Sequence, residues 1–348
     1  MTARATPIMP IKLRAGLHQT IWGGDNLARV AGKDVAPGAQ VGESWETADD
    51  NVVASGPLAG ATLAALVEAQ GAALIGERAQ AIFGRRFPLL AKFIDAHNDL
   101  SVQVHPDDDY ARAREGGKLG KTEAWYVLDV QPGAKLVYGW RTATTAAAVR
   151  AAIASERLED LLDSFEAHPG DVIFVPAGTV HAIGAGITLY ELQEYSDVTY
   201  RLYDYGRRQA DGSRRELHVD RALDVLRYSA ADPHTVRPVL APNTTAAAER
   251  RLLVGCPYFV LEEIILHGTI HGATAPASCE IVTVLGGQCA VGTPAGLAIP
   301  LSLGETAVLP AALGAYTLQG DHARLLRAYV PLTDDAPLAL WRAGQREG

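Results

Sequence analysis

The run Leu100-Ser101-Val102-Gln103-Val104-His105-Pro106 sets three polar side chains among apolar neighbours. Side chains alternate along a strand, so Ser101, Gln103 and His105 share one face and Leu100, Val102 and Val104 take the other. Polar groups aimed into the interior of a β-barrel cost on the order of a few kcal/mol each unless they find hydrogen-bond partners or a metal. A second pattern stands downstream: Gly170, five residues, Pro176, Ala177, Gly178, two residues, His181. Both patterns end on a histidine, the side chain best suited to ligate a metal or move a proton near neutral pH.

The spacing Gly-x5-Pro-x-Gly-x2-His resembles the second signature motif of cupin barrels, in which Pro and Gly turn the chain so that the His faces a metal. The first cupin motif, ordinarily His-x-His followed closely by Glu, stands here in altered form as Gln103-Val104-His105, with a candidate carboxylate well downstream at Glu123. Gln103, His105, Glu123 and His181 then offer two imidazoles, one carboxylate and one amide oxygen. Such a set suits a zinc ion that keeps an open or water-filled position. With one anionic ligand the centre stays net positive and can polarise a carbonyl or hold an alkoxide. The other histidines, His18, His97, His168, His218, His234, His267, His271 and His322, read as hydrogen-bonded core or surface residues.

The elements that must position these groups are mostly strands. The chain has 348 residues, 48% hydrophobic and 20% charged, with 34 Gly and 19 Pro breaking the apolar runs into short pieces. That composition predicts an all-β protein with a few surface helices, and the resemblance to the cupin motif implies two cupin (jelly-roll β-barrel) domains, the N-terminal one binding metal. Helices are expected over 61–80 and 144–165. Strands are expected at 87–94, 100–105, 171–175 and 187–192, with a hairpin pairing 122–129 and 134–139 across Gln131-Pro132-Gly133. A Pro-rich linker at 230–248 divides residues 1–240, the catalytic barrel, from 241–348. In the second part, Gly304-x5-Pro310 repeats half of the cupin motif, but Ala312 and Ala315 replace its Gly and His; a barrel without a metal is expected there. Cys256, Cys279 and Cys289 match no zinc or redox spacing and read as buried or half-buried free thiols.

Several blocks in order are similar to class I mannose-6-phosphate isomerase in its short bacterial form: Trp22-Gly23-Gly24, Gly42-Glu43-Ser44-Trp45-Glu46, Pro88-Leu89-Leu90-Ala91-Lys92, Leu100 to Pro106, Gly120-Lys121-Thr122-Glu123 and Tyr195 to Arg201. The resemblance implies that Gln103, His105, Glu123 and His181 occupy zinc-ligand positions and that Arg201 is the catalytic arginine. It places Lys121 at the active site, Lys92 and Ser101 at positions associated with the substrate phosphate, and Glu194 beside the site as a candidate proton carrier. Glu43 and Glu46 are expected at the cavity mouth, bonded to sugar hydroxyls, and Trp22, Trp45, Trp125 and Tyr126 as core or cavity wall.

The implied reaction is the zinc-dependent interconversion of mannose 6-phosphate and fructose 6-phosphate through an enediol. It needs a base and a positive centre for the enediolate. Glu194, Lys121 and a metal-bound hydroxide stay open as the proton carrier. A non-catalytic sugar-phosphate sensor on the same fold is the alternative, and the intact ligand set and arginine speak against it. An iron oxygenase of the cupin type would show a tight His-x-His pair, which this chain lacks. The formal net charge of −9, from 31 Lys+Arg and 40 Asp+Glu, excludes nucleic-acid binding by bulk charge. No Gly-x4-Gly-Lys-Ser/Thr loop is present, and no apolar segment has the length of a membrane span or signal peptide, so a soluble cytoplasmic protein is expected.

Overall fold

The computed structural model describes residues 7–209, 211–231 and 234–346. Three sheets dominate it. A six-stranded sheet runs in the order Val172–Val175, Glu123–Val130, Ile187–Glu194, Leu89–Ala96, Val41–Trp45, Gly16–Gly24. A five-stranded sheet faces it in the order Tyr200–Tyr203, Val102–Val104, His181–Ile183, Lys135–Trp140, Leu162–Glu166. Trp125, Leu136, Ile173 and Leu189 fill the space between the two, as the inward members of alternating strands must. On the outer side of the five-stranded sheet, Val102, Val104, Val180 and Ala182 pack with Val149 and Ala222 of the helices Ala146–Ala154 and Val219–Val225.

The ten-stranded sheet forms the second barrel, closed around Ile264, Val282, Val291, Leu301, Leu318 and Leu325. Its interior is apolar where the first barrel's is polar. Two short N-terminal strands, Ile11–Arg14 and Val52–Val53, join this sheet: Ile11 pairs with Val308 and Leu13 with Val53. Strand pairing therefore crosses the expected boundary at residue 240, which itself falls in the strand Val239–Leu240 paired to Ala248–Gly255. One continuous core, including Phe87, Phe93, Tyr190, Phe259, Val260 and Trp341, joins the back of the six-stranded sheet to the second barrel.

Two local expectations change. The segments around Gln131-Pro132-Gly133 do not form a hairpin: Glu123–Val130 and Lys135–Trp140 lie in different sheets. Gly133, with φ of 78°, turns the chain at a barrel corner, and the strands find their hydrogen bonds with elements distant in sequence. The helix expected over 144–165 ends at Ala154; after Glu156 at positive φ come a 3-10 turn, Leu158–Asp160, and the strand Leu162–Glu166. Buried Leu158 and Leu162 imitate a helical spacing although they belong to different elements. The 61–80 helical region is borne out as Leu63–Gln70, Ala72–Ile75 and Glu77–Phe83, punctuated by Gly71 and Gly76. Cys256, Cys279 and Cys289 are free and buried.

Candidate metal centre and active-site cavity

The two motifs deliver their histidines to neighbouring strands. His181 opens the strand His181–Ile183 and pairs with Gln103, which pairs on its other side with Arg201. The Pro176-Ala177-Gly178 turn makes this possible. Gly178 has a φ of 86° and its N–H donates to the His105 carbonyl at 2.8 Å; a Cβ there would lie 2.9 Å from the Val225 carbonyl. Glycine is therefore required at that point for steric reasons. Leu100 lies before the strand and lines the cavity, so the alternation predicted from Leu100 holds only from Ser101 onward.

His105, Glu123 and His181 place one ligand atom each within 4.8 Å of one another, and all three are buried. Each imidazole donates Nδ1–H to a backbone carbonyl, Val198 for His105 and Thr179 for His181, both at 2.9 Å. That fixes the tautomer and leaves the Nε2 lone pairs directed inward, the arrangement that supports a metal-ligating histidine. His105 Nε2 and both carboxylate oxygens of Glu123 are buried without a well-formed hydrogen bond, although Glu123 Oε1 is ion-paired, with Lys121 Nζ at 2.6 Å and His105 Nε2 at 3.2 Å. Burial and the Lys121 charge push His105 down to about 3, leaving a neutral ligand. Burial alone would raise Glu123, but the Lys121 charge first, then its contacts with the two imidazoles, outweigh it and hold the carboxyl well below its ordinary range. These residues fit a divalent metal. The side-chain amide nitrogen of Gln103 lies 3.3 Å from His181 Nε2, on the same face.

Above the triad opens a cavity of about 750 Å³, walled by both N-terminal sheets. Its charged lining is Arg86, Lys92, Lys118, Lys121, Arg201 and Arg215 against Glu43, Glu191 and Asp197. Trp22 and Ser101 line it as expected. Lys121 Nζ lies 2.6 Å from Glu123 Oε1, bridging ligand and cavity. Lys92 Nζ lies 3.3 Å from Glu191 and 3.8 Å from Glu43, over the Trp45 ring. Arg201 donates Nε–H to Ser101 Oγ at 3.2 Å and Nη1–H to the Glu216 carbonyl at 3.0 Å.

Two expected site residues face elsewhere. Glu194 is three positions from Glu191 and so on the opposite face of Ile187–Glu194. Its Oε1 accepts the Thr122 N–H at 2.9 Å on the side toward the second barrel. Glu191 is the carboxylate that enters the cavity, where it accepts Trp125 Nε1–H at 3.0 Å. Burial first, then the charge of Glu123, raises Glu191 above the ordinary carboxyl range. Glu46 likewise points away from the cavity: it is buried against Lys33 at 2.8 Å and accepts from Ser44 and from Thr306 of the second barrel. Glu43, on the other face, lines the cavity. The pairing of Glu123 with Gln193 carries the signal that separates the two glutamates, since Glu191 shares the Gln193 face. His218, read from sequence as core or surface, also lines the cavity, and Arg215 had no motif to mark it.

Fold and centre together define a cupin with, among the described residues, one candidate metal site beside a cationic cavity. The family model for the catalytic domain of type I phosphomannose isomerase matches residues 11–127. The mannose-6-phosphate isomerase ManA of Bacillus subtilis is 36% identical over 316 residues, 89% of this chain and 96% of that protein. The mannose-6-phosphate isomerase of Streptococcus mutans is 36% identical over 318 residues, 90% of this chain and 96% of that protein. The crystal structure of the Bacillus subtilis mannose 6-phosphate isomerase superposes with a TM-score of 0.82 at 33% identity, covering 92% of this chain and 99% of that one. The chain belongs to the type I mannose-6-phosphate isomerase family. Among the described residues no helix is long and apolar enough to cross a membrane.

Proposed function

We propose that the protein interconverts mannose 6-phosphate and fructose 6-phosphate through an enediol in the cytoplasm, with one zinc ion per chain. The observation that carries this reading is the convergence of buried ligand atoms of His105, Glu123 and His181 beside a cation-lined cavity, on a chain of this family. The amide oxygen of Gln103 is the fourth proposed ligand; turning the amide over brings it to the position its nitrogen now holds. Bound there, zinc supplies a positive field for oxygen charge that develops between C1 and C2.

The chain's own residues do the rest. Glu191, lining the cavity with its carboxyl pushed up by burial and the Glu123 charge, replaces Glu194 as the carboxylate that moves the proton between the two carbons. Lys121 Nζ, beside Glu123, is placed to hold a sugar oxygen. Arg201, fixed by Ser101 and the Glu216 carbonyl, adds positive charge one strand from Gln103. Trp22 and the Trp45 ring wall the site and limit water. Neither Glu46 nor Glu194 has a role at the reacting carbons. Residues 1–240 carry the whole site, and 241–348 brace it.

A coupled assay on zinc-loaded protein tests the reading, with turnover of mannose 6-phosphate expected. Folded, zinc-replete protein that binds the sugar phosphate without converting it would establish the sensor alternative instead.

A further inference from the structure

The cavity has two cationic regions with different charge balance. Lys92 is flanked by Glu191 and Glu43, so a phosphate dianion placed against it would face two carboxylates. Around Arg201 the balance is reversed. Among the described residues Arg201 has no carboxylate partner, and its Nε and Nη1 groups are held by Ser101 Oγ and a backbone carbonyl. Arg215 beside it gives Nε and Nη2 to Asp204, a carboxylate that Arg207 also engages at 2.5 Å. Two guanidinium groups thus take up the one buried carboxylate and leave Arg201 unpaired; the Glu216 side chain is 83% exposed. The like charges of Arg201 and Arg215 repel, and burial with that repulsion pushes Arg201 below the usual guanidinium range. Such an arrangement is relieved by an anion.

Its position is also set by strand register. His181, Gln103 and Arg201 stand side by side on three adjacent strands, and the His218 N–H donates to the Arg201 carbonyl beyond them. At roughly 4.8 Å per strand, Arg201 lies about 10 Å across the sheet from His181, with His218 farther out. A hexose 6-phosphate carries its phosphate at the far end of the carbon chain from C1 and C2. With C1 and C2 at the metal end, the phosphate falls at the Arg215 end.

Resting on the hexose-6-phosphate reading above, we propose that Arg215, with His218 of the same cavity lining, is the phosphate anchor of this cavity, and that Lys92 instead positions Glu191. Asp204 takes two of the five guanidinium donors of Arg215 and fixes the plane, leaving donors for two phosphate oxygens. The anchor comes from the loop after Tyr200–Tyr203, outside the barrel strands that carry the metal ligands.

Isothermal titration of zinc-loaded protein with inorganic phosphate, alongside steady-state kinetics, tests the assignment. Arg215→Gln is expected to weaken phosphate binding and raise KM for mannose 6-phosphate by about tenfold to a hundredfold, with kcat changed far less. Arg215→Lys restores part of the loss, and His218→Gln shows a smaller loss of the same kind should Arg215→Gln fold poorly. Unchanged phosphate affinity in both Arg215→Gln and His218→Gln overturns the anchor. So does a loss confined to Arg86→Gln or Lys118→Gln, which would move the phosphate to those side chains. The phosphate titration needs no turnover, so an absence of isomerase activity would count against the proposed function and not against the anchor.

Discussion

At the scale of single residues, the centre is defined by what its donors lack. His105 Nε2 and Glu123 Oε2 are buried without hydrogen bonds, and Glu123 Oε1 has only the Lys121 ion pair and the His105 ring, a condition that a metal resolves. His181→Ala is expected to abolish zinc binding and turnover together, measured as metal content after gel filtration; full zinc occupancy in that variant would remove His181 from the ligand set. Glu191→Gln is expected to lower kcat by about a hundredfold or more, whereas Glu194→Gln leaves kcat within about twofold. The reverse result would restore Glu194 as the proton carrier. His105, Glu123 and His181 were legible because histidines and a glutamate in apolar strands have few other uses. The choice between Glu191 and Glu194 was not legible, since alternation puts them on opposite faces without saying which face is inside.

At the scale of elements, the site depends on ties between strands far apart in sequence. Glu194 and Thr122 exchange hydrogen bonds, the Glu194 carboxylate with the Thr122 N–H and the Glu194 N–H with the Thr122 carbonyl, and so hold the segment that aims Lys121 and Glu123. Burial, with the Asp108 charge next, pushes Glu194 up from 4.5 to about 8. Between those values the folded chain keeps this proton and the unfolded chain has lost it, so stability falls as pH rises through the window. The thermal midpoint is therefore expected to drop between about pH 5 and about pH 8, and Glu194→Gln is expected to flatten that slope; an unaltered slope would show that the carboxyl is ionised in the fold. A second tie joins the helix Leu27–Ala31 to the second barrel. Gly304 has a φ of 75°, and a Cβ there would stand 1.8 Å from the Ala31 carbonyl oxygen. Gly304→Ala should cost more than about 2 kcal/mol in denaturant unfolding; a variant as stable as the parent would mean that the two segments separate freely.

At the scale of the whole molecule, the second barrel and the first are one folding problem. Ile11–Arg14 and Val52–Val53 are strands of the second barrel's sheet, and Phe259, Val260 and Trp341 complete a core begun by Phe87 and Phe93. Residues 1–240 expressed alone are expected to give no cooperative thermal transition, read by circular dichroism, because their apolar back face and two strands lose their partners; a sharp transition would show an independent domain. The net charge of −9 says little about the ligand, because charge acts locally and the cavity lining is cationic. The sequence by itself determined the β class, the family and the candidate metal donors, all of which rest on residue type and short spacing. Tertiary structure alone decided the sheet partners of Glu123–Val130, the face of Glu191, the removal of Glu46 to the barrel interface and the arrival of Arg215 and His218 at the cavity. Those depend on contacts between residues far apart in the chain, where packing and strand register, rather than local preference, set which side chains meet.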